Sequence, residues 1–391
     1  MHHLAIVQKS LSNVIHSKRL ETLQQMVNSA FMAQSLTVTQ LGRALPSTSE
    51  KNGIKKADRF LSNEKIHAEY PLISQRLISY LIPCNSSPWI IVDWSKMPHK
   101  DFHVLRASYA ASGRSITLYE EVHEAKYLGS QKAHNQFVTT LHKLLPDSCN
   151  PIIITDAGFG VPWFKLILKQ GWNYIGRVRG NKYYSKLPDI WLKCQGLKDI
   201  AVPSPKFIGA VKLTKKHLFK TNLYVIKHSS KGRHALNKAG NIRRDSTSKS
   251  KSKAATEPLV IVTSLKHKTT MPKKVIKIYQ TRMTIEEGFR DLKSSKYGFG
   301  FEHTLSYKPK RILILLLIAM IASFIAYIIG MIAESKNIHY QFQANTIKHK
   351  RVLSLFYLGR RIIKKQIQQQ LPLVLKHNFN KINYISFLKM I

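Results

Sequence analysis

From Ile312 to Ala333 the chain runs for 22 residues in which only Ser323 and Gly330 interrupt an apolar series. At 1.5 Å rise per residue such a helix is about 33 Å long, which suits one of two environments. It crosses a lipid bilayer, or it is buried on all sides in a large protein core. The flanks, Lys308-Pro309-Lys310-Arg311 and Glu334-Ser335-Lys336, lie in regions rich in Lys and Arg, so the charge asymmetry that would orient a span is weak. Met1-His2-His3-Leu4-Ala5-Ile6-Val7 has no basic stretch followed by a long apolar run, and no signal peptide is expected there. A chain of 391 residues can bury a sizeable core and is expected to form two or three domains.

Charge narrows the partners. The chain has 62 basic against 21 acidic side chains, a formal net charge of +41. Self-repulsion of that size points to a polyanionic partner. Nucleic acid is the leading candidate, because neutralised phosphates release counterions, and an anionic membrane surface is the rival. Cys84, Cys149 and Cys194 are widely spaced, without a CxxC pair or flanking His at zinc spacing, as expected for reduced thiols in a cytosolic protein.

Residues 1 to about 80 have helical periodicity through Leu20, Leu23, Met26, Val27, Ala30 and Phe31. Two short helices follow, 35–45 and the basic 52–61. Together they have the form of a helix-turn-helix reader, with Lys55, Lys56 and Arg59 as candidate DNA contacts. From about 85 the pattern becomes β. Trp89-Ile90-Ile91-Val92-Asp93 is an apolar strand ending in an acid. Strands 103–110 and 115–120 follow, joined by the turn Ser112-Gly113-Arg114. A helix at 133–145, the strand Pro151–Thr155 ending at Asp156, a helix at 163–169 and a strand at 172–179 come next. Residues 181 to 256 hold short β-like pieces and the basic low-complexity tract Ser229–Thr256. The strand Leu259–Thr263 then leads into a helix.

That helix contains Tyr279, Arg282, Glu286 and Lys293. At about 100° per residue the last three fall at roughly −60°, −20° and −40° from Tyr279, one acid flanked by two cations and a phenol. Such a stripe on its own is most often a solvated face. Asp93 and Asp156 at strand ends change its meaning, although each alone reads as a turn or cap residue. Ends of adjacent strands converge, and a helix across the sheet can bring a carboxylate to the same edge. Three carboxylates without a His or Cys set suit Mg²⁺ or Mn²⁺.

The chain resembles the bacterial cut-and-paste insertion-sequence transposases of the family 4 type. Tyr279, Arg282, Glu286 and Lys293 satisfy every gap of their Tyr-Arg-Glu-Lys signature. Blocks such as Val92-Asp93-Trp94-Ser95, Leu105-Arg106-Ala107-Ser108, Gly113-Arg114-Ser115, Thr155-Asp156-Ala157-Gly158-Phe159, Arg177-Val178-Arg179-Gly180, Phe289-Arg290-Asp291-Leu292-Lys293 and Phe342-Gln343-Ala344-Asn345-Thr346 extend the likeness from the N-terminal bundle to past residue 350. The resemblance implies an α/β, RNase H-like core at 83–310 with a β-rich insertion at about 181–256. A helical DNA-binding domain at 1–82 and a helical region at 311–391 would flank it. Further implications are an Asp93, Asp156 and Glu286 triad binding two Mg²⁺, with Mn²⁺ able to substitute, and DNA contacts from Tyr279, Arg282 and Lys293. Arg106, Arg114, Arg177 and Arg179 are further candidate DNA contacts in the matching blocks.

A homodimer holding two transposon ends, hairpin formation and strand transfer into target DNA also follow from the resemblance, as does a cytoplasmic, nucleoid-associated protein. The apolar run becomes a buried helix rather than a membrane span, and residues 345–365 a basic helical region for DNA or dimer contacts. One departure is Leu259, where relatives place a Trp that stacks on a flipped base. A DNA-binding relic unable to cut is the alternative function, and a membrane-anchored basic protein the more distant one.

Overall fold

The computed structural model describes residues 4–98, 101–227, 241–242, 245–246, 257–344, 346–347 and 349–365. The basic tract 229–256, four residues excepted, lies outside these, as do Asn345, Lys348 and residues 366–391. In chain order the helices and strands begin with α1 (Ala5–Leu11), α2 (Ser17–Ala33), α3 (Val38–Arg43), α4 (Glu50–Leu61) and α5 (Glu64–Leu81). Then come β1 (Trp89–Lys96), β2 (Phe102–Ala110), β3 (Ser115–Glu124), α6 (Gln131–Leu144), β4 (Ile152–Thr155), α7 (Val161–Lys169) and β5 (Asn173–Val178). The remainder are β6 (Tyr183–Ser185), β7 (Leu192–Lys193), β8 (Lys206–Leu213), β9 (Phe219–Ile226), β10 (Leu259–Thr263), α8 (Met271–Gln280), α9 (Met283–Lys293), α10 (Pro309–Ser335) and α11 (Leu355–Lys364). They form two compact units, residues 1–150 with 283–391, and residues 151–282. The boundaries expected at 82 and 310 both run through the first of these.

In the first unit, β1, β2 and β3 form an antiparallel sheet in register from Ile90↔Tyr109 to Lys96↔His103. The β2–β3 turn closes with the Ala111 N–H donating to the Arg114 carbonyl at 3.0 Å, and Gly113 takes φ +70, which glycine adopts without steric cost. Pairing with β2 holds β1 extended through Lys96. Asp93 is therefore inside the strand and not at its end, a correction that only the cross-strand partner could supply. Thr37 and Ser49 cap α3 and α4 through their hydroxyls, accepting from the Gln40 and Asn52 N–H groups. A Cβ on Gly53 would lie 2.2 Å from the Gly42 carbonyl oxygen, and glycine at both positions lets α3 and α4 cross backbone to backbone.

The apolar run forms α10, long and apolar enough by length and composition to cross a membrane, yet 89% of its most apolar 18-residue stretch is buried. It packs on β3, α2, α4, α5 and α11. A second glycine crossing seats α11: a Cβ on Gly359 would lie 1.8 Å from the Ala326 carbonyl oxygen, and one on Gly330 2.0 Å from that of Leu355. Helix in the expected 345–365 segment begins at Leu355, and Arg360 is buried with its guanidinium on the Gly298 carbonyl.

In the second unit β4 and β5 are parallel, linked by α7, and the sheet continues antiparallel through β10, β9, β8, β6 and β7. The β-like pieces expected after residue 181 thus extend the sheet on the β10 side. Gly176 has no Cβ because one would meet the Phe164 ring at 2.5 Å; the gap lets α7 lie close on β5, with Phe164 stacked on Tyr174 at 4.5 Å. After α8 the ladder tightens: Thr281 N–H donates to the Ile278 carbonyl (3.1 Å) and Arg282 N–H to that of Tyr279 (3.0 Å), with the Thr281 hydroxyl also on Ile278. These i→i−3 bonds end α8, and the single helix expected across Tyr279–Lys293 is two. The common stripe survives for Glu286 and Lys293, which share α9, but not for Tyr279 and Arg282.

Candidate active site

Asp93 opens the site in the first unit. Its Oδ1 accepts the Trp94 N–H at 2.8 Å, and its cross-strand neighbour on β2 is Arg106. Arg106 in turn faces Glu120 on β3, so the three side chains form a row on one face of the sheet. Arg106 Nε donates to Glu120 Oε1 at 2.7 Å, both residues being buried, and its guanidinium lies 4.0 Å from the centroid of Phe289 on α9. Burial raises the Glu120 carboxyl above its ordinary value while Arg106 opposes it. Arg106 is thus enclosed within the unit, which corrects its assignment as a DNA contact.

Helix α9 crosses this same face. Ser115 at the start of β3 donates to the Thr284 carbonyl (3.3 Å), and at the other end Lys293 Nζ donates to Ser95 Oγ (2.9 Å) and the Lys96 carbonyl (2.5 Å). Ser95 is two residues from Asp93 and shares its face of β1. Phe289, over Arg106, is three residues beyond Glu286, which places exposed Glu286 within about one 5.4 Å helical turn of the Asp93 row along the axis. Burial lowers the Lys293 ammonium below its ordinary value, with Arg106 adding to the shift. Arg114 also turns inward, its Nε on Asp291 at 2.6 Å and Nη2 3.7 Å from Glu287.

Behind the row, on the other face of β1, Trp94 Nε1 donates to His134 Nε2 at 3.2 Å, and the indole packs edge-on to His123 at 5.4 Å. Burial, then the neighbouring His123, pushes His134 down to about 4. His123 is paired with Glu121 (2.9 Å), which also accepts from the Tyr119 hydroxyl (3.0 Å). The sequence hints at this support only in the alternation of Tyr119, Glu121 and His123 along β3.

The second unit assembles a different group. Asp156 follows β4 directly, and its Oδ1 accepts the Gly158 N–H at 2.7 Å. A Cβ on Gly158 would approach that oxygen to 2.9 Å, so the tight carboxylate turn favours glycine. Register Thr155↔Gly176 sets Asp156 level with Arg177 at the C-terminal ends of two parallel strands. Tyr279 on α8 is buried, which raises its phenol above the ordinary value; Arg282 and Arg177 oppose the shift, Asp156 adds to it, and Arg282 hydrogen-bonds the phenol. Four residues singled out in the sequence therefore meet around one phenol. Arg179 is exposed two residues beyond Arg177. On α4, Lys55 and Arg59 are exposed, whereas Lys56 Nζ donates to Gln25 at 2.5 Å.

The family model described as transposase DDE domain matches residues 85–325. The chain belongs to this family. All of Asp93, Asp156, Tyr279, Arg282, Glu286 and Lys293 fall inside the DDE domain, while Lys55, Lys56 and Arg59 precede it. No curated protein matches the chain. Among solved structures it is similar to a piggyBac transposase, in the cryo-EM structure of that synaptic complex with hairpin DNA. Identity is 13%, covering 96% of this chain and 80% of the other, with a TM-score of 0.43. Asp93 and Glu286 in the first unit and Asp156 in the second each carry a carboxylate, a hard oxygen donor of the kind Mg²⁺ and Mn²⁺ take. Among the described residues no three His, Cys, Asp or Glu side chains are grouped closely enough to hold a metal ion.

Proposed function

We propose that the chain is a cut-and-paste DNA transposase of the insertion-sequence family 4 type, acting as a Mg²⁺-dependent nuclease and strand transferase on transposon ends. The observation that carries the proposal is the family match over 85–325, within which Tyr279 and Arg282 of the signature lie in the second unit and Glu286 and Lys293 in the first. Asp93, Asp156 and Glu286 would hold the divalent ions, whose chemistry there would be to polarise phosphoryl oxygens and lower the pKa of an attacking water. Arg282, hydrogen-bonded to Tyr279, and Arg177 present guanidinium groups to a phosphodiester beside Asp156, where they offset the charge that grows on its oxygens. Lys293 is held by Ser95 on the Asp93 face of β1, so its ammonium is fixed near Asp93.

In this reading the substrate is double-stranded DNA with terminal inverted repeats, a homodimer brings two ends together, and the protein works at the nucleoid in the cytoplasm. The hairpin step proceeds without the Trp platform: its position is occupied by Leu259, half-buried at the start of β10. The test is cleavage of DNA carrying the element's own ends. Asp93→Asn, Asp156→Asn and Glu286→Gln are each expected to lower the Mg²⁺-dependent rate at least about 10³-fold, roughly 4 kcal/mol of barrier, with end binding retained. Undiminished cleavage by any of the three refutes that residue's assignment. End binding by the wild type without cleavage in either Mg²⁺ or Mn²⁺ points instead to the relic.

A further inference from the structure

Lys212 on β8 and Lys220 on β9 stand directly opposite each other in the antiparallel register. Like charges in that position destabilise a sheet. Lysines often guard the edges of sheets against aggregation, but Lys212 is paired on both sides, with Lys220 on β9 and Ser185 on β6. Lys220 lies two residues beyond Asn222, where the β9–β10 ladder ends. Lys186, the next residue after Ser185, joins Lys212 and Lys220 in lining a cleft of about 690 Å³ in the second unit. Leu187 and Pro188 give it an apolar wall, Thr221 and Asn222 supply hydrogen-bonding groups, and no carboxylate lines it.

The backbone makes room for this arrangement. The β8–β9 register shifts between Phe207 and Gly209, and Gly209 has φ +143. A Cβ there would lie 3.4 Å from the Lys186 side chain. Composition points the same way, since residues 181–227 hold ten lysines and two aspartates, with neither Arg nor Glu. An in-register lysine pair, a third lysine beside it and a cleft without acids together describe a surface whose repulsion is relieved by an anion.

We propose that this cleft is a phosphate site for the backbone of double-stranded DNA, additional to the guanidinium groups of Arg177 and Arg282 beside Asp156. It rests on the transposase reading and deepens it. Phosphate oxygens spanning Lys186, Lys212 and Lys220 convert the like-charge pair from a cost into a binding contribution, independent of base sequence.

The test uses the full chain and a fluorescent duplex of generic sequence, with binding measured across a salt series. For K186Q/K212Q/K220Q the slope of log K against log[salt] is expected to fall in magnitude by about 2 to 3, near 0.9 per lost phosphate contact. The same variant should melt at an equal or higher temperature than wild type, because the Lys212–Lys220 repulsion is gone. K186R/K212R/K220R should keep the wild-type slope. An unchanged slope in the glutamine variant, alongside normal wild-type binding, overturns the cleft assignment and leaves the transposase reading standing. A wild-type chain that binds no duplex overturns both. Inorganic pyrophosphate raising the melting temperature of the wild type but not of the glutamine variant, with the duplex slope unchanged, assigns the cleft to a free anion and also overturns the proposal.

Discussion

In the first unit the cations near the acidic residues are committed to the protein itself. Arg106 holds Glu120 and lies on Phe289, Arg114 holds Asp291 and Glu287, and Lys293 is bound to Ser95 and the Lys96 carbonyl. The second unit keeps its cations differently. Arg177 Nε has no hydrogen-bond partner among the described residues, Arg179 is exposed, and three lysines share one acid-free cleft. Two sets of basic residues that look alike in sequence therefore divide by what surrounds them. In one unit charge positions a carboxylate, and in the other it is available to an outside anion.

The largest expected consequence of that division is on stability. Arg106→Leu strands the Glu120 carboxylate in the core and is expected to cost about 3–5 kcal/mol, measured by chemical denaturation. Arg177→Gln, by contrast, should leave stability within about 0.5 kcal/mol. Equal losses in both would erase the contrast between the units.

Next in size is a pH effect confined to the first unit. His134 titrates at about 4 when folded, below its ordinary 6.5, so between those values the unfolded chain holds more protons. Stability therefore rises with pH across that window and is lost as pH falls through it. The ceiling is roughly 3 kcal/mol, since each pH unit between the two values contributes about 1.36 kcal/mol. His134→Gln should flatten this part of a stability–pH curve; an unaltered curve removes His134 as its source. The smallest effect belongs to Arg177→Gln in DNA binding, where one lost phosphate contact lowers the salt slope by about 0.9. Arg106→Lys should leave that slope untouched, and an equal drop would return Arg106 to the DNA surface.

Much of the local structure was legible from residue order. The Ser112-Gly113-Arg114 turn, the capped α3, the apolar β4 ending before Asp156 and the strand at β5 all rest on short-range physics, which neighbouring residues report directly. Asp93 was harder to place, since its strand continues to Lys96 only because β2 pairs with it. Arg106 stands among the candidate DNA contacts by its place in a matching block, and its partner Glu120 on β3 is visible only in the strand pairing. The break at Thr281 was missed for a related reason: constant helical pitch was assumed, whereas two i→i−3 bonds and a threonine hydroxyl close the turn. In the candidate site, residue types were readable and their partners were not.

The crossing at Gly330 and Gly359 also matters during synthesis. At about 5–20 residues per second, α10 is complete before α11 exists to lie against it, so for a few seconds a span of mean hydropathy 3.0 lacks one of its covers. A nascent chain in that condition presents the same features that membrane insertion machinery selects. Translation halted between Ser335 and Leu355 should yield a product prone to aggregation or to bilayer entry, because α11 is not yet there to set Gly359 on Ala326 and Leu355 on Gly330.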